Sequence, residues 1–439
     1  MLIYPTLDLF SYDIRESLGL SEAEIDKKRQ YFKNRLPVEL GQTIDKFDDQ
    51  GEYVELLGKN GIHKFENAVY TGYYYPVRLN DSYGLLLDCS CRDQQSSDNL
   101  QWVSGLKQVI EQKSAQKATL GQTWVFYASV LNVPLEEYDL IAQKCYRALL
   151  PDANWHKDKT GSSEFSSGRL FELWRETGEM EHIVIILFSN EKSAENLMRD
   201  FIQDELRWFW YRHKITWAYA QSQDLKGILK AKSAESDSLW EDFSNRKFDI
   251  SVVLEKANTN FRYHLELLNG LAIQIPTIET NLLNYRRLTG KLAQKLPGLN
   301  FPNEFERRTT EKYLLQIQRD QATFTLQLDL IKNIVASIQA QETHRNVEHI
   351  AAVQTKVEWL EVFFISFYAA EFTHLMVELS HEKDSSEMWI IAFTAVWAGL
   401  VAFVGLKLSK HLKIDKHFWQ TAALGIGIPL IWFLYWCVK

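Results

Sequence analysis

The sequence predicts an α+β or α/β domain, then a long α-helical stalk with a coiled-coil region, and finally a C-terminal helical transmembrane domain of two or three helices. Three observations predict this order. Residues 1–190 mix apolar runs with turn-forming glycines, which is typical of strands and hairpins. From about residue 191 a helical periodicity replaces that pattern. Two uncharged segments, 388–406 and 418–438, are each long enough to cross a hydrocarbon core of ~30 Å as a helix.

Composition limits the classes of function. The chain has 439 residues, enough for two or three domains, predicted as 1–190, 191–356 and 357–439. The net charge of −8 argues against general nucleic-acid binding, because phosphate affinity needs a basic surface. The composition does not exclude that a local pocket binds a small phosphate-bearing ligand. The four cysteines predict no disulfide framework, and Cys89 and Cys91 lack the second pair that a zinc site would need. No cofactor is predicted.

The N-terminal domain shows clear local signals for helices and strands. Ser21 and Glu24 have capping-box spacing, which predicts a helix over residues 21–36. His182–Phe188 is a continuous β-branched run and predicts a strand buried on both faces. The other predictions in chain order are an Asn60-Gly61 hairpin signal within strands of residues 52–90, a helix over 99–113, a strand over 123–130 and a helix from Pro134 to about Leu150.

The polar stretch Pro151–Gly168 is predicted to be a surface loop. Its end, Gly161–Arg169, could alternatively hold an anion with backbone amides and Arg169, but it matches neither a phosphate-binding GKS/T loop nor GxGxxG. No nucleophile triad, paired carboxylates or phosphate loop stands out elsewhere. The sequence therefore predicts no catalytic residues and no enzyme.

The second half predicts long helices. Ser193–Ala231 carries dense aromatic residues with four basic ones among them. This composition favours a helix buried between neighbours, with the long basic side chains reaching solvent, over a base-stacking surface. Residues 232–247 are predicted to form a helical turn and linker, 261–296 a further helix, and 297–302 a corner. The basic residues are Arg207, Arg212, His213 and Lys214.

From about Asn303 the chain is predicted to form one long helix with a coiled-coil seam. Apolar residues recur at alternating three- and four-residue steps, broken only at Gln321. The seam could pair within the subunit, against residues 261–296, or between subunits, and the pattern does not separate the two. A homo-oligomer is predicted. The seam residues are Ile317, Phe324, Leu328, Ile331, Val335 and Ile338.

Charge distribution predicts the number of membrane crossings. The predicted helices are ~358–379, 388–407 and 418–438, the first of them weakened by about 3 kcal/mol through Glu371. Because no signal peptide precedes it, the N-terminal region is expected in the cytosol. With three crossings the lysine-rich loop of residues 407–417 lies inside, as the positive-inside rule requires. With two crossings the same loop would lie outside, against that rule. The alternative is that the first segment lies at the interface or packs in the protein. A multi-pass protein of the inner membrane, in contact with the lipid bilayer, is predicted.

The first of these segments carries the predicted pore or ion-binding residues. On a helical wheel Glu361, Tyr368, Glu371, His374 and Glu378 share one face. In a symmetric oligomer, Glu371 would form a ring of carboxylates, an arrangement that attracts cations. Glu371 and His374, three residues apart, could also bind a divalent cation or a proton. The alternative is that these groups satisfy one another inside a bundle.

The order of a cytosolic sheet domain, a stalk helix and a short acidic outer loop before a second crossing resembles CorA-type magnesium channels. The resemblance covers roughly residues 310–410. The family's Gly-Met-Asn triplet is missing here, where the chain has LMVELSHEKDSSE, so magnesium selectivity is not implied. Some CorA-like proteins without the triplet act as membrane effectors that sense a nucleotide signal. The resemblance implies an oligomeric cation channel or pore-type effector, gated by the cytosolic domain. The alternative is a tethered sensor or scaffold that binds a small nucleotide or a protein.

Overall fold

A computed structural model describes most of the chain, and it describes the backbone alone for residues 101, 181, 193–203, 242, 301, 302, 358, 359 and 361–381. Nine strands in the described part form one sheet, in the order β2-β4-β5-β1-β6-β9-β8-β7 with β3 also paired to β4. The described residues are 2–17, 20–48, 51–59, 61–92, 101–114, 116–165, 167–175, 181–245, 249–295 and 301–381. The strands are β1 (Leu2–Ile14), β2 (Tyr53–Glu55), β3 (His63–Glu66), β4 (Tyr70–Leu79), β5 (Ser82–Cys91), β6 (Gly121–Val130), β7 (Lys159–Phe165), β8 (Gly168–Arg175) and β9 (Glu181–Phe188).

The helices divide into a short set and a long set. A 3₁₀ turn (Leu135–Glu137) precedes α4, and a π-helical segment (Thr309–Leu314) joins α8 to α9. The short helices are α1 (Glu22–Lys33), α2 (Val38–Phe47), α3 (Gln101–Lys113), α4 (Tyr138–Leu149), α5 (Trp155–Asp158) and α8 (Phe301–Arg308). The long helices are α6 (Glu191–Ser244), α7 (Ile250–Lys295) and α9 (Leu315–His381).

Both faces of the sheet are covered, and strand alternation sorts the side chains between them. Leu7 and Leu9 of β1 pack with α1 to α4, whereas Phe10 and Tyr12 pack with α6 and α7. The strand pairs are antiparallel except for β6 and β9, which run parallel. The intervening residues supply the crossover that parallel strands require. The sheet domain predicted from the sequence is therefore present, as a mixed and mainly antiparallel sheet.

The α6 helix joins the sheet to the helical bundle. The Tyr12 hydroxyl donates to the Leu206 carbonyl at 2.8 Å, which fixes the first part of α6 on β1. Further along, the rings of Tyr219 and Tyr313 stack at 4.1 Å, and Lys226 Nζ lies 2.8 Å from Asp320 Oδ1 on α9. One continuous helix therefore contacts both layers.

The predicted seam packs within the chain over its first part. Ile317 and Phe324 are buried in the same core as residues of α6 and α7, and Leu328 packs against that core. Of the two open alternatives for these residues, the structure therefore favours pairing inside one subunit.

Several local predictions are confirmed. The Ser21 amide donates to Glu24 Oε2 at 2.9 Å, which closes the capping box of α1. Residues 183–188 of β9 are buried on both faces, as their β-branched run predicts. The Asn60 position and residues 296–300 of the predicted corner lie outside the described residues.

Two local predictions are wrong. Gly161–Arg169 is not a loop, because it belongs to the β7–β8 hairpin, where Phe165 packs edge-on against Phe188 with ring centroids 5.8 Å apart. Residues 232–244 are not a linker, because α6 continues to Ser244. Packing explains the second error: Ser236 is buried and accepts from Asn260 Nδ2 of α7 at 2.7 Å.

In the described residues no helix is long and apolar enough to cross a membrane. The finding contradicts the predicted C-terminal transmembrane domain and the multi-pass inner-membrane location, and it leaves ion transport without support. The physical reason is that charged residues recur along the long helices. The longest uncharged run in α6, α7 and α9, residues 267–278, is far shorter than the ~20 residues that a span needs. Of the predicted spans, 358–379 lies within α9, and 388–407 and 418–438 lie outside the described residues.

The chain divides into two compact units, residues 1–335 and 336–439. The first holds the sheet, α1 to α8 and the beginning of α9. In the second, the structure describes the remainder of α9.

Candidate functional site

Three buried carboxyl groups meet where α6 crosses the sheet, and together they form the acid cluster. Asp8 of β1 and Asp88 of β5 are direct partners in the antiparallel register, so their side chains stand next to each other on the same face. Glu205 of α6 lies close enough for its charge to raise the pKa of Asp8. All three side chains are at least nine-tenths buried.

Simultaneous ionisation of the three carboxyl groups in the acid cluster is electrostatically unfavourable. Burial, and then the charge and the hydrogen bond of Asp88, raise the pKa of Asp8 well above its ordinary value. Burial raises the pKa of Asp88 to about 7, and burial together with Asp204 raises that of Glu205 to about 7. Two adjacent buried carboxyl groups cannot both ionise at low cost, so Asp8 and Asp88 share a proton. The cluster therefore changes its charge near neutral pH.

The acid cluster also has unused hydrogen-bonding capacity. Asp8 Oδ1 and Glu205 Oε2 are buried without a hydrogen-bond partner among the described residues. In the described part of the chain no basic side chain contributes to the pKa of Asp8, Asp88 or Glu205. An unpaired buried carboxyl oxygen costs free energy, so a group that donates to it would stabilise the fold.

Tyrosine rings border the acid cluster. Burial, followed by the charges of Asp88, Asp8 and Glu205, raises the pKa of Tyr73, and burial with the charges of Asp8 and Asp88 raises that of Tyr127. Both phenols therefore stay neutral. Carboxylates beside aromatic faces are the groups that proteins use to bind organic ammonium ions.

A second buried polar group, the anchor network, lies at the other end of the same face. It consists of Thr123, Glu172, His182, Arg212 and His213. Arg212 Nη1 lies 2.7 Å from Glu172 Oε1, and His182 Nε2 lies 3.2 Å from the same oxygen. The Thr123 hydroxyl lies 2.9 Å from His182 Nδ1 and 2.8 Å from His213 Nε2. This network therefore ties α6 to β6, β8 and β9.

Proton positions in the anchor network follow from its geometry. If His182 donates from Nε2 to Glu172, its Nδ1 accepts from Thr123, whose oxygen then accepts from His213 Nε2. The Thr123 hydroxyl is thereby satisfied with both histidines neutral. Burial and the nearby charge of Arg212 lower the pKa of His182 to about 4, and burial, His182 and Arg212 lower that of His213. Against the opposing effect of burial, Arg212 and His182 lower the pKa of Glu172 to about 2. The network is an ion pair in which Glu172 compensates the charge of Arg212, although Arg212 Nε and Nη1 have no aligned hydrogen-bond partner among the described residues.

The pore residues predicted from the sequence all fall on the backbone of α9. Glu361, Tyr368, Glu371, His374 and Glu378 lie between Leu315 and His381, and their side chains are outside the described structure. Their grouping, and a metal held by Glu371 and His374, therefore stay predictions. Elsewhere in the described residues, no group of three or more His, Cys, Asp or Glu side chains could hold a metal ion.

Other candidate residues have structural roles. Cys89 and Cys91 are buried on β5 as free thiols, and burial raises their pKa values to about 12 and about 11. Arg169 is not free to bind an anion, because its Nη1 lies 2.8 Å from Asp139 Oδ2. Arg212 is buried in an ion pair and does not reach solvent.

Sequence analysis did not identify the acid cluster. A signal was present, because Asp8 and Asp88 each interrupt a strongly apolar run, LDLF and LLLDC. Charged residues inside buried strands are rare and are often functional.

Comparisons with known proteins do not assign a family. A scan of protein-family models and a search of curated proteins each found no match to this chain. The resemblance to CorA-type channels therefore stays a prediction.

Proposed function

We propose that the protein is a non-catalytic sensor, in which the sheet domain binds a small organic cation at the acid cluster and α6 passes the response to the helical bundle. One observation carries this proposal. Asp8, Asp88 and Glu205 are buried together, and two of their oxygens have no partner among the described residues. Such an arrangement is costly unless a positive group completes it.

The chemistry of the cluster selects the class of ligand. An anion such as a nucleotide would be repelled by the carboxylates, so the nucleotide ligand that the CorA-like resemblance implies does not suit this site. The described residues also offer no group that could hold a metal ion. An ammonium group fits better, because it donates three hydrogen bonds and because cations are attracted to tyrosine rings such as those of Tyr73 and Tyr127 near the carboxyl groups.

The α6 helix connects the acid cluster, where the ligand would bind, to the helical bundle, which would respond. Glu205 belongs to the acid cluster, and the same unbroken helix reaches the bundle through Tyr219, Lys226 and Ser233. Ser233 Oγ donates to Gln327 Oε1 of α9 at 2.6 Å. A ligand that favours one position of Glu205 would therefore shift the equilibrium of the helices that follow.

The test is thermal unfolding of the full-length protein at pH 8 with putrescine, spermidine, ATP or MgCl₂. We expect the amines to raise the melting temperature of the wild type and to have no effect on a triple variant, Asp8→Asn, Asp88→Asn and Glu205→Gln. Asp26→Asn, an exposed change of the same chemistry on α1, is the matched control.

Calorimetry provides a second measurement. Because an amine would hold the carboxyl groups ionised, binding should release protons, and the observed heat should depend on the ionisation enthalpy of the buffer. If no amine binds, or if the amines stabilise wild type and triple variant equally, the acid cluster is not the ligand site. A response to ATP alone would place ligand binding elsewhere in the chain.

A further inference from the structure

An exposed apolar stripe runs along α9 in the second unit. The side chains of Ile350, Val353, Val357 and Leu360 are 65%, 50%, 48% and 53% exposed. Their spacing of three, four and three residues matches the a and d positions of a heptad repeat. In the described structure these four side chains are therefore left without an apolar partner.

We infer that this stripe pairs with the same stripe on a second copy of the chain, as a parallel, in-register coiled coil. Ile350 and Val357 at position a are β-branched, and Leu360 occupies a d position. β-Branched residues at a with Leu360 at d favour a parallel two-stranded coiled coil, whereas the β-branched Val353 at the other d position does not add to that preference. In the sequence, Phe364 and Phe367 occupy the next a and d positions, which extends the repeat to three heptads.

Charge complementarity indicates that the partner is a second copy of the chain and that the two helices run parallel. With Ile350 at position a, Lys356 falls at g and Glu361 falls at e of the following heptad. In a parallel, in-register pair, a g position faces the following e position of the other helix, so Lys356 of each copy meets Glu361 of the other. An antiparallel pair would set like positions, and so like charges, against each other.

The repeat has a defined beginning. The preceding a and d positions are Thr343 and Asn346, both polar, so the apolar stripe starts at Ile350. The interface is therefore separate from the seam at Ile317 and Phe324, which is buried within one chain.

Cysteine cross-linking tests the pairing in the full-length protein. In a Cys437→Ser background, Val357→Cys places two thiols face to face at a shared a position, whereas Thr355→Cys places them at the outermost f position. We expect oxidation to convert most of the Val357→Cys protein to a covalent dimer and to leave Thr355→Cys largely monomeric. The native Cys89, Cys91 and Cys145 are buried and serve as the unreactive background.

Charge reversal tests the direction and the partner. Lys356→Glu should raise the dimer dissociation constant, measured by analytical ultracentrifugation, about tenfold, because it replaces two attractive pairs by two repulsive ones. Adding Glu361→Lys should restore the wild-type constant. A wild-type protein that stays monomeric at every concentration, equal cross-linking of the two cysteine variants, or no restoration by the double reversal would overturn the inference.

Discussion

Asp88→Asn should change how the stability of the protein depends on pH. The side chain lies in the acid cluster, next to Asp8 and under α6, and is almost fully buried. Asparagine has nearly the same shape as the protonated acid but cannot ionise. The substitution therefore removes the cost of ionisation while leaving the packing almost intact.

The size of the effect follows from the pKa. Burial raises the pKa of Asp88 to about 7 from an ordinary value of 3.8. At about 1.36 kcal/mol for each pKa unit, the Asp8–Asp88 pair should lose ~4 kcal/mol of folding free energy on ionisation. A pKa raised by folding means that the folded state binds more protons. The stabilising contribution of protonated Asp88 to the free energy of unfolding is therefore complete below pH ~4 and is lost as the pH rises to ~7.

The histidines of the anchor network act in the opposite direction. Folding lowers the pKa of His182 to about 4, so its contribution grows as the pH rises from about 4 to 6.5. Because wild type and Asp88→Asn share this His182 contribution, the difference between their two stability profiles isolates the contribution of Asp88.

The assay is urea unfolding of the full-length protein between pH 5 and pH 9, followed by tryptophan fluorescence. We expect wild type to lose more stability than Asp88→Asn as the pH rises from 5 to 7, and Asp88→Asn to have the higher free energy of unfolding at pH 8. Asp26→Asn, exposed on α1, should keep the wild-type profile. The reasoning fails if Asp88→Asn shows the wild-type slope, or is less stable than wild type by the same amount at every pH.

Three further predictions concern other buried groups. Glu172→Gln should cost about 3–5 kcal/mol in urea unfolding, because it leaves the buried charge of Arg212 uncompensated, and adding Arg212→Met should recover part of that loss. Gly121→Ala should cost about 1–3 kcal/mol, since φ is +150° and a Cβ would lie 2.3 Å from His213 Nδ1, whereas Gly41→Ala, which meets nothing within 4 Å, should not destabilise. Three thiols should react with Ellman's reagent only after unfolding, because burial raises their pKa values to about 12, 11 and 12: Cys89, Cys91 and Cys145.

Local sequence signals predicted the elements that depend on local physics. The β-branched run at residues 182–188 and the capping box at Ser21 and Glu24 each act within a few residues, and both are present in the structure. The Gly161–Arg169 hairpin was mistaken for a loop because its serines and glycines outweighed the alternation of Phe165 and its neighbours. Pairing with β8 and packing on Phe188 override that composition.

The acid cluster could not be predicted because it depends on register. Asp8 and Asp88 are eighty positions apart, and a shift of one residue between β1 and β5 would move them to opposite faces. Helical periodicity likewise places Glu205 and Arg212 two turns apart on α6 but does not show which sheet residues they meet. Their contrasting roles arise only from tertiary structure: Arg212 meets Glu172, and Glu205 approaches Asp8.

The two clusters together restrict how α6 could respond to a ligand. Seven residues, about 10 Å of helix, separate Glu205 from Arg212. The buried ion pair of Arg212 with Glu172 opposes any sliding of α6 along the sheet, because sliding would expose an uncompensated charge. A change at Glu205 is therefore best accommodated by a tilt of α6 about Arg212. Beyond that point the helix carries Tyr219, Lys226 and Ser233, so a tilt would act directly on the contacts of the bundle.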